Sequence, residues 1–421
     1  MFKKIVTYKL KLAAKILLWR KKPEIIAITG SAGKTTTKEI LRELLSSEFD
    51  VLASTEGYNT EIGVPLVLFG EQVPEKINSL FAWSKILIRC FFKAFFIGHL
   101  PEKVIIEIGA DHPGDIGYLG RLLKPGKGVI LTVLPVHLAS FKNIETVAKE
   151  KAELAQNIKA DGKIYLNADD SRVMEMPIPR RVSRVTFGKA KNADFRISNI
   201  RTDLSGLSFD LYEGKQKHTL AVRLYGEQLI YSLLAAIAIA RSDHLSYEKI
   251  KSVLKNISPT KGRMNVIEGV NGSLIIDDSY NANPESMIKA LGFLGSQKGR
   301  RIALLGNMNE LGNYEREGHE RVGEVAAKKA DILLTVGEVA SKYLSAAAAA
   351  SGLTKKNIYN FKDATSAGDY LKKELQRGDV VLVKGSQNNV RLEQAIEKFM
   401  AHPEEKDNIL VRQSAFWKNQ S

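Results

Sequence analysis

One short stretch holds the residues whose types and spacing point most directly to chemistry. Residues 25–28 (Ile-Ile-Ala-Ile) are an apolar run, Gly30-Ser31-Ala32-Gly33 is a glycine-bearing turn, and Lys34-Thr35-Thr36 opens a segment with Ile40, Leu41, Leu44 and Leu45 at helical spacing. The pattern predicts strand, phosphate loop and helix. Glycines let backbone N–H groups approach phosphate oxygens, and the helix N-terminus adds partial positive charge. Lys34 is placed to neutralise the β- and γ-phosphates, and the Thr35 hydroxyl to bind Mg²⁺. Ile28 stands where the full phosphate-loop pattern has glycine, so the match is to the shorter GxxGKT form. The alternative is an ordinary strand–helix turn.

Other candidates follow from their places at strand ends. Residues 104–110 read as a buried strand with one acid, Glu107. A charge in an apolar run is costly unless paired or metal-bound, which makes Glu107 a candidate Mg²⁺ ligand. Residues 128–133 read as the next strand and run into His137, either a ligand or a structural histidine. The polar, glycine-bearing loop after residues 51–53 offers Thr55 and Asn59 for substrate contact, because loops at the carboxyl ends of strands hold ligands in open α/β sheets.

These residues need two sets of α/β elements to position them. Residues 181–224 alternate polar and apolar in short runs, which suggests an antiparallel segment. Proline and glycine break the pattern at Ser258-Pro-Thr-Lys-Gly-Arg263. Beyond it a second alternation of strands and helices begins, with strands expected near 274–276, 302–305, 332–336 and 380–383. The expected division is a basic amphipathic helix at 1–22, a nucleotide-binding domain at 23–262 and a second α/β domain at 263–421.

Composition bounds the class. With 421 residues, 44% hydrophobic and 26% charged, the chain has room for two or three domains with cores of their own. A lone cysteine, Cys90, excludes an intramolecular disulfide and fits a reducing, cytoplasmic setting. Of the net charge of +15, +8 falls within residues 1–22, which contain no acid. Three interior lysines rule out a spanning segment or a good signal peptide there. Residues 80–98 are strongly apolar, with Lys85, Arg89 and Lys93 recurring every four residues. Each of these two stretches is either an interfacial helix at the inner membrane face or an internal helix with its cations in water. No nucleic-acid motif stands out, and a monomer is expected.

Several separated stretches together resemble the Mur ligase family. They are TGSAGKTTTKE (29–39), NTEIGVP (59–65), EIGADHPGDI (107–116), HLASF (137–141) with KAEL (151–154), NADD (167–170), KGRM (261–264), DDSYNANPESM (277–287), LLGNMNELG (304–312) and LVKGS (382–386). The resemblance is greatest to the branch that adds D-alanyl-D-alanine to a UDP-N-acetylmuramoyl-tripeptide in peptidoglycan synthesis. It implies a central P-loop ATPase domain with a mainly parallel sheet and a small antiparallel segment, then a Rossmann-like α/β domain. It also implies ATP, two Mg²⁺ ions, an acyl phosphate and a muramoyl-peptide substrate.

By the same resemblance His137 binds a second Mg²⁺ and Lys151 becomes a carbamate beside it. Arg263 reaches the γ-phosphate, Asp278 and Asn281 orient ATP, and Lys384 and Ser386 lie on the substrate side. Members of that branch normally carry an N-terminal UDP-binding domain, whereas about 22 residues precede the first strand here, so a truncated member is expected. Gln228 and Ser232 replace a family His and Asn, and Asn307 stands where Asp is usual. Two rival readings remain: a family ligase for another amine and carboxylate, and a membrane-associated nucleotide-binding scaffold without activity.

Overall fold

The computed structural model describes residues 2–54, 57–74, 76–135, 138–386 and 390–413. Two sheets organise them. The first contains β1 (Glu24–Thr29), β2 (Val51–Ala53), β3 (Lys103–Glu107), β4 (Lys127–Ile130), β5 (Lys163–Asn167), β6 (Ser183–Gly188), β7 (Phe195–Asp203), β8 (Gly206–Glu213) and β9 (Gln216–Val222). Their spatial order is β2-β3-β1-β4-β5-β6-β7-β8-β9. The second sheet contains β10 (Asn265–Glu268), β11 (Leu274–Asp277), β12 (Arg301–Gly306), β13 (Ile332–Val336), β14 (Ile358–Phe361) and β15 (Val380–Lys384), in the order β10-β11-β15-β12-β13-β14. Only β10 runs antiparallel in it.

β1 is central because its residues are apolar on both sides. Ile25 and Ala27 enter one core with Val104 and Ile106, while Ile26 and Ile28 enter another with Ile105 and Val129. Burial on both faces is what a parallel strand covered by helices requires. α1 (Phe2–Lys21), α3 (Gly63–Phe69), α4 (Leu80–Phe96) and α5 (Asp115–Leu123) feed the first of these cores, and α2 (Lys34–Leu45) the second. β1 lies between β3 and β4, with both connections crossing over, so the carboxyl ends of these three strands open at a switch point.

The α/β architecture matches the expectation; two details differ. β6, expected in the antiparallel segment, pairs parallel to β5 and β7, and in this sheet only β7, β8 and β9 form antiparallel pairs. Alternating polarity reports a half-exposed strand and carries no information on its partner's direction. The strand expected at 128–133 ends at Ile130. Past it the Thr132 carbonyl accepts from Ser31 N–H, and Val133 N–H donates to Asp170, so those groups leave the ladder.

α1 is part of the fold. Val6, Leu10, Ala13, Ala14 and Leu17 are buried against the first lobe. Burying each valine or leucine contributes about 1.5–3 kcal/mol. Leu10→Ala should therefore destabilise the protein by about 2–5 kcal/mol in denaturant unfolding. A change within about 0.5 kcal/mol, the range of a surface substitution, would show that α1 does not pack as described.

Candidate active site

The turn after β1 is shaped as an anion cradle. Gly33 precedes α2 at φ 85°, in the left-handed region, and a Cβ there would lie 2.7 Å from Ser232 Oγ. Glycine is thus required by conformation and by space. No side chain caps the first turn of α2, which leaves its N–H groups for a ligand. Ser31 also anchors the loop. Its N–H donates to Thr132 O at 2.8 Å, and its hydroxyl accepts from Leu134 N–H at 2.9 Å, pinning the loop to the segment after β4. Ser232 donates to Gly33 O at 3.1 Å, so the departure from the family pattern at this position serves to hold the loop.

Lys34 folds back over the loop and donates to Gly30 O at 3.0 Å. Burial pulls its ammonium below the ordinary lysine value; Glu107 and Asp111 oppose that shift, and Arg263 reinforces it. Thr35 Oγ1 donates to Glu107 Oε2 at 2.9 Å. Glu107 is steadied in turn: its N–H donates to Ser54 Oγ at 3.0 Å, and the buried Lys38 ammonium donates to Ser54 O at 2.6 Å. A hydroxyl and a carboxylate beside a phosphate cradle are hard oxygen donors, which suit Mg²⁺ completed by phosphate and water. Among the described residues no three His, Cys, Asp or Glu side chains converge.

Lys151 projects from the helix Ile144–Gln156 into the same space and is buried. Desolvation, with Lys34 adding repulsion, lowers its pKa to about 7. Its neighbour Glu150 is occupied elsewhere, accepting from Gly114 N–H and Ile116 N–H at 2.7 Å each at the start of α5. Much of the Lys151 population is therefore a neutral amine at neutral pH, the form that can react with carbon dioxide.

The second lobe closes over this cradle. Arg263 Nη2 donates to Thr35 Oγ1 at 3.4 Å, and its guanidinium lies 4.0 Å from the centre of the Tyr280 ring. Arg263 Nε is buried without a hydrogen-bond partner among the described residues, as expected of a donor awaiting an anion. Asp278 accepts from Met264 N–H at 3.2 Å and from Lys384 Nζ at 2.6 Å; Lys384 also donates to Asn281 O at 2.9 Å. This buried pair fixes the wall between β11 and β15.

Lys34, Thr35, Glu107, Lys151, Arg263 and Asp278 all line one cavity of about 660 Å³ between the lobes. Gly30, Ser31, Ala32, Gly33, Thr36, Asn59, Asn281 and Lys384 line it too. Ser386 does not; its hydroxyl accepts from Asn309 N–H at 3.0 Å behind the wall. Thr55 and His137 lie outside the described residues. Sequence reasoning missed Tyr280, which Arg263 covers, and Arg412, whose guanidinium bonds the carbonyls of Ser279 and Tyr280 and Glu393 Oε2. Tyr280 sits inside the motif already singled out; Arg412 sits in a stretch with no pattern to mark it.

Two family models match the chain: the Mur ligase middle domain over residues 28–77 and 95–240, and the Mur ligase glutamate ligase domain over residues 262–387. The chain is 30% identical over 370 residues to the UDP-N-acetylmuramoyl-tripeptide–D-alanyl-D-alanine ligase of Escherichia coli strain K12, covering 86% of this chain and 74% of that one. It is likewise 30% identical over 383 residues to the enzyme of that name from Mycobacterium tuberculosis strain H37Rv, covering 86% and 70%. Among solved structures, MurF ligase from Thermotoga maritima in complex with ADP aligns with a TM-score of 0.78 at 26% identity, over 96% of this chain and 84% of that one. MurF from Acinetobacter baumannii aligns with a TM-score of 0.73 at 25% identity, over 95% and 79%.

The surroundings of Lys151 give a signed pH prediction. Carbamate formation on its amine, followed by ¹³C NMR with labelled bicarbonate, should rise as pH increases through about 7 and vanish in Lys151→Arg. A signal that emerges only above about pH 9, as for an exposed lysine, would contradict the described environment.

Proposed function

The chain belongs to the Mur ligase family, and from that premise we propose that it is an ATP-dependent amide ligase of peptidoglycan synthesis, adding D-alanyl-D-alanine to a muramoyl-tripeptide carboxylate. One observation carries the reading. The Thr35–Glu107 pair and the phosphate-loop Lys34 of the first lobe meet Arg263 of the second within a single cavity. Residues 23–262 then bind ATP, and residues 263–421 close over it.

The reaction needs positioning and charge more than covalent protein chemistry. A substrate carboxylate oxygen attacks the γ-phosphorus, and the bond from that phosphorus to the bridging oxygen breaks, giving an acyl phosphate and ADP. The amine of D-alanyl-D-alanine then attacks the acyl carbon through a tetrahedral intermediate, losing a proton as inorganic phosphate departs. Lys34 and the α2 N-terminus hold the β- and γ-phosphates, while Arg263 stabilises charge on the phosphoryl group in flight. Thr35 and Glu107 would hold one Mg²⁺; His137 and a carbamate on Lys151 would hold a second. Such ions supply Lewis-acid neutralisation of phosphate charge.

Asp278 and Asn281 orient the nucleotide from the second lobe. Thr55, Asn59, Lys384 and Ser386 belong to the substrate side, Lys384 and Ser386 by shaping the wall. Closure excludes water, which protects the acyl phosphate from hydrolysis. The enzyme acts as a monomer in the cytoplasm, at the inner face of the membrane.

The test is ADP release with a UDP-linked muramoyl tripeptide and a panel of amines. D-alanyl-D-alanine should raise the rate well above every single amino acid, with the amide product seen by mass spectrometry. Release with a different amine alone would reassign the substrate; no release with any acceptor would favour the inactive scaffold.

A further inference from the structure

α1 and α4 are apolar on two opposite sides, and only one side of each faces the core. In α1, Ile5, Tyr8, Leu12 and Trp19 fall within about 60° of one another around the helix, roughly 150° from the buried set Val6, Leu10, Ala13, Ala14 and Leu17. In α4, Phe81, Ile88, Phe92 and Phe95 form a similar outer stripe, about 150° from Trp83, Ile86, Leu87, Cys90 and Ala94. A surface helix ordinarily turns polar groups to that side. Here Trp19 is 76% exposed, Phe81 83%, Ile88 70% and Phe96 69%.

The two outer stripes share one surface. The helices pack side by side, and an open groove of about 810 Å³ runs between them, lined by Ile5, Tyr8 and Leu12 from one and Leu87, Ile88 and Phe91 from the other. Cations flank it. Lys4 and Lys15 lie on one side of the α1 stripe and Lys9 on the other, and Lys85 lies beside that of α4. None of these four makes an ion pair among the described residues, whereas Arg89 and Lys93 are both held by Glu71. Neither helix contains an acid.

We propose that the α1–α4 face docks on an anionic lipid bilayer, with its aromatic and aliphatic side chains entering the interface and the flanking lysines meeting phosphate headgroups. A projecting apolar stripe between basic flanks, with no acid in either helix, matches the layered chemistry of a lipid surface, apolar within and anionic at its headgroups. Among the described residues no helix is long and apolar enough to cross a membrane, so the contact is peripheral. Lys3 pairs with Glu61 at 3.0 Å, in the loop that carries Asn59, so docking holds the rim of the ligand cavity close to the lipid face.

This inference rests on the proposed placement at the inner membrane face, and its test is separable from the ligase chemistry. Deleting residues 1–22 would be a poor probe, since α1 is also core. The quadruple variant Trp19→Ser, Phe81→Ser, Ile88→Ser, Phe92→Ser alters only exposed positions and should keep the melting temperature and solution ADP release of the native chain. The native protein should co-sediment with phosphatidylcholine vesicles containing about 30% phosphatidylglycerol, and salt of about 0.5 M should weaken binding. The variant should bind at least about tenfold more weakly. Equal binding by variant and native protein, or no preference for anionic vesicles, would overturn the proposal. So would a native dimer that the four substitutions dissolve while vesicle binding is absent, which would assign the face to a second copy.

Discussion

Lys34, Lys151 and Arg263 meet in one partly enclosed cavity, where Asp278 is already taken by Lys384 and the carboxylates of Glu107 and Asp111 stand against the three cations. Burial away from water is costly for an ammonium unless an anion enters, and it draws both Lys34 and Lys151 below the ordinary lysine value. The site is thus built for a polyanion. A triphosphate satisfies all three cations and the open end of α2 together, and the two-lobed design follows from needing donors on opposite sides of one phosphoryl group.

The rest of the structure holds those donors still. β1 is buried on both faces and lies at the switch point of its sheet, so its carboxyl end is a rigid platform for the cradle. Ser31 and Ser232 tie the loop to its neighbours from two sides. In the second lobe the Asp278–Lys384 pair fixes the wall, and Tyr280, bracketed by Arg263 and Arg412, sets the guanidinium over the cradle. Each tie is a hydrogen bond or ring contact between chain segments far apart in sequence, which is why the site exists only in the assembled fold.

That distinction sets what could be read from the sequence. The strand–loop–helix at residues 24–45 was legible because apolar runs, glycine spacing and a following amphipathic pattern are local signals, and the parallel second sheet followed from its alternation. Glu107 stood out because a lone acid in an apolar strand needs a reason. The direction of β6 was not legible, since pairing depends on a partner rather than on its own alternation. Ser31 and Ser232 also tie the loop to its neighbours, and nothing local to a serine tells which bond it will make. Arg412 is reached only through tertiary contact. The apolar excess of α4 was visible in the sequence and α1 read as a basic amphipathic helix, but only packing revealed which side of each was left uncovered.

The central claim is that a triphosphate is gripped from both lobes at once. The most direct measurement is a structure of the protein with Mg²⁺ and a non-hydrolysable ATP analogue. The γ-phosphate should lie against both Lys34 and Arg263, with the Thr35–Glu107 hydrogen bond opened to admit the cation. A triphosphate held by one lobe alone, with Arg263 still on Thr35, or bound outside the Gly30–Gly33 loop, would contradict it.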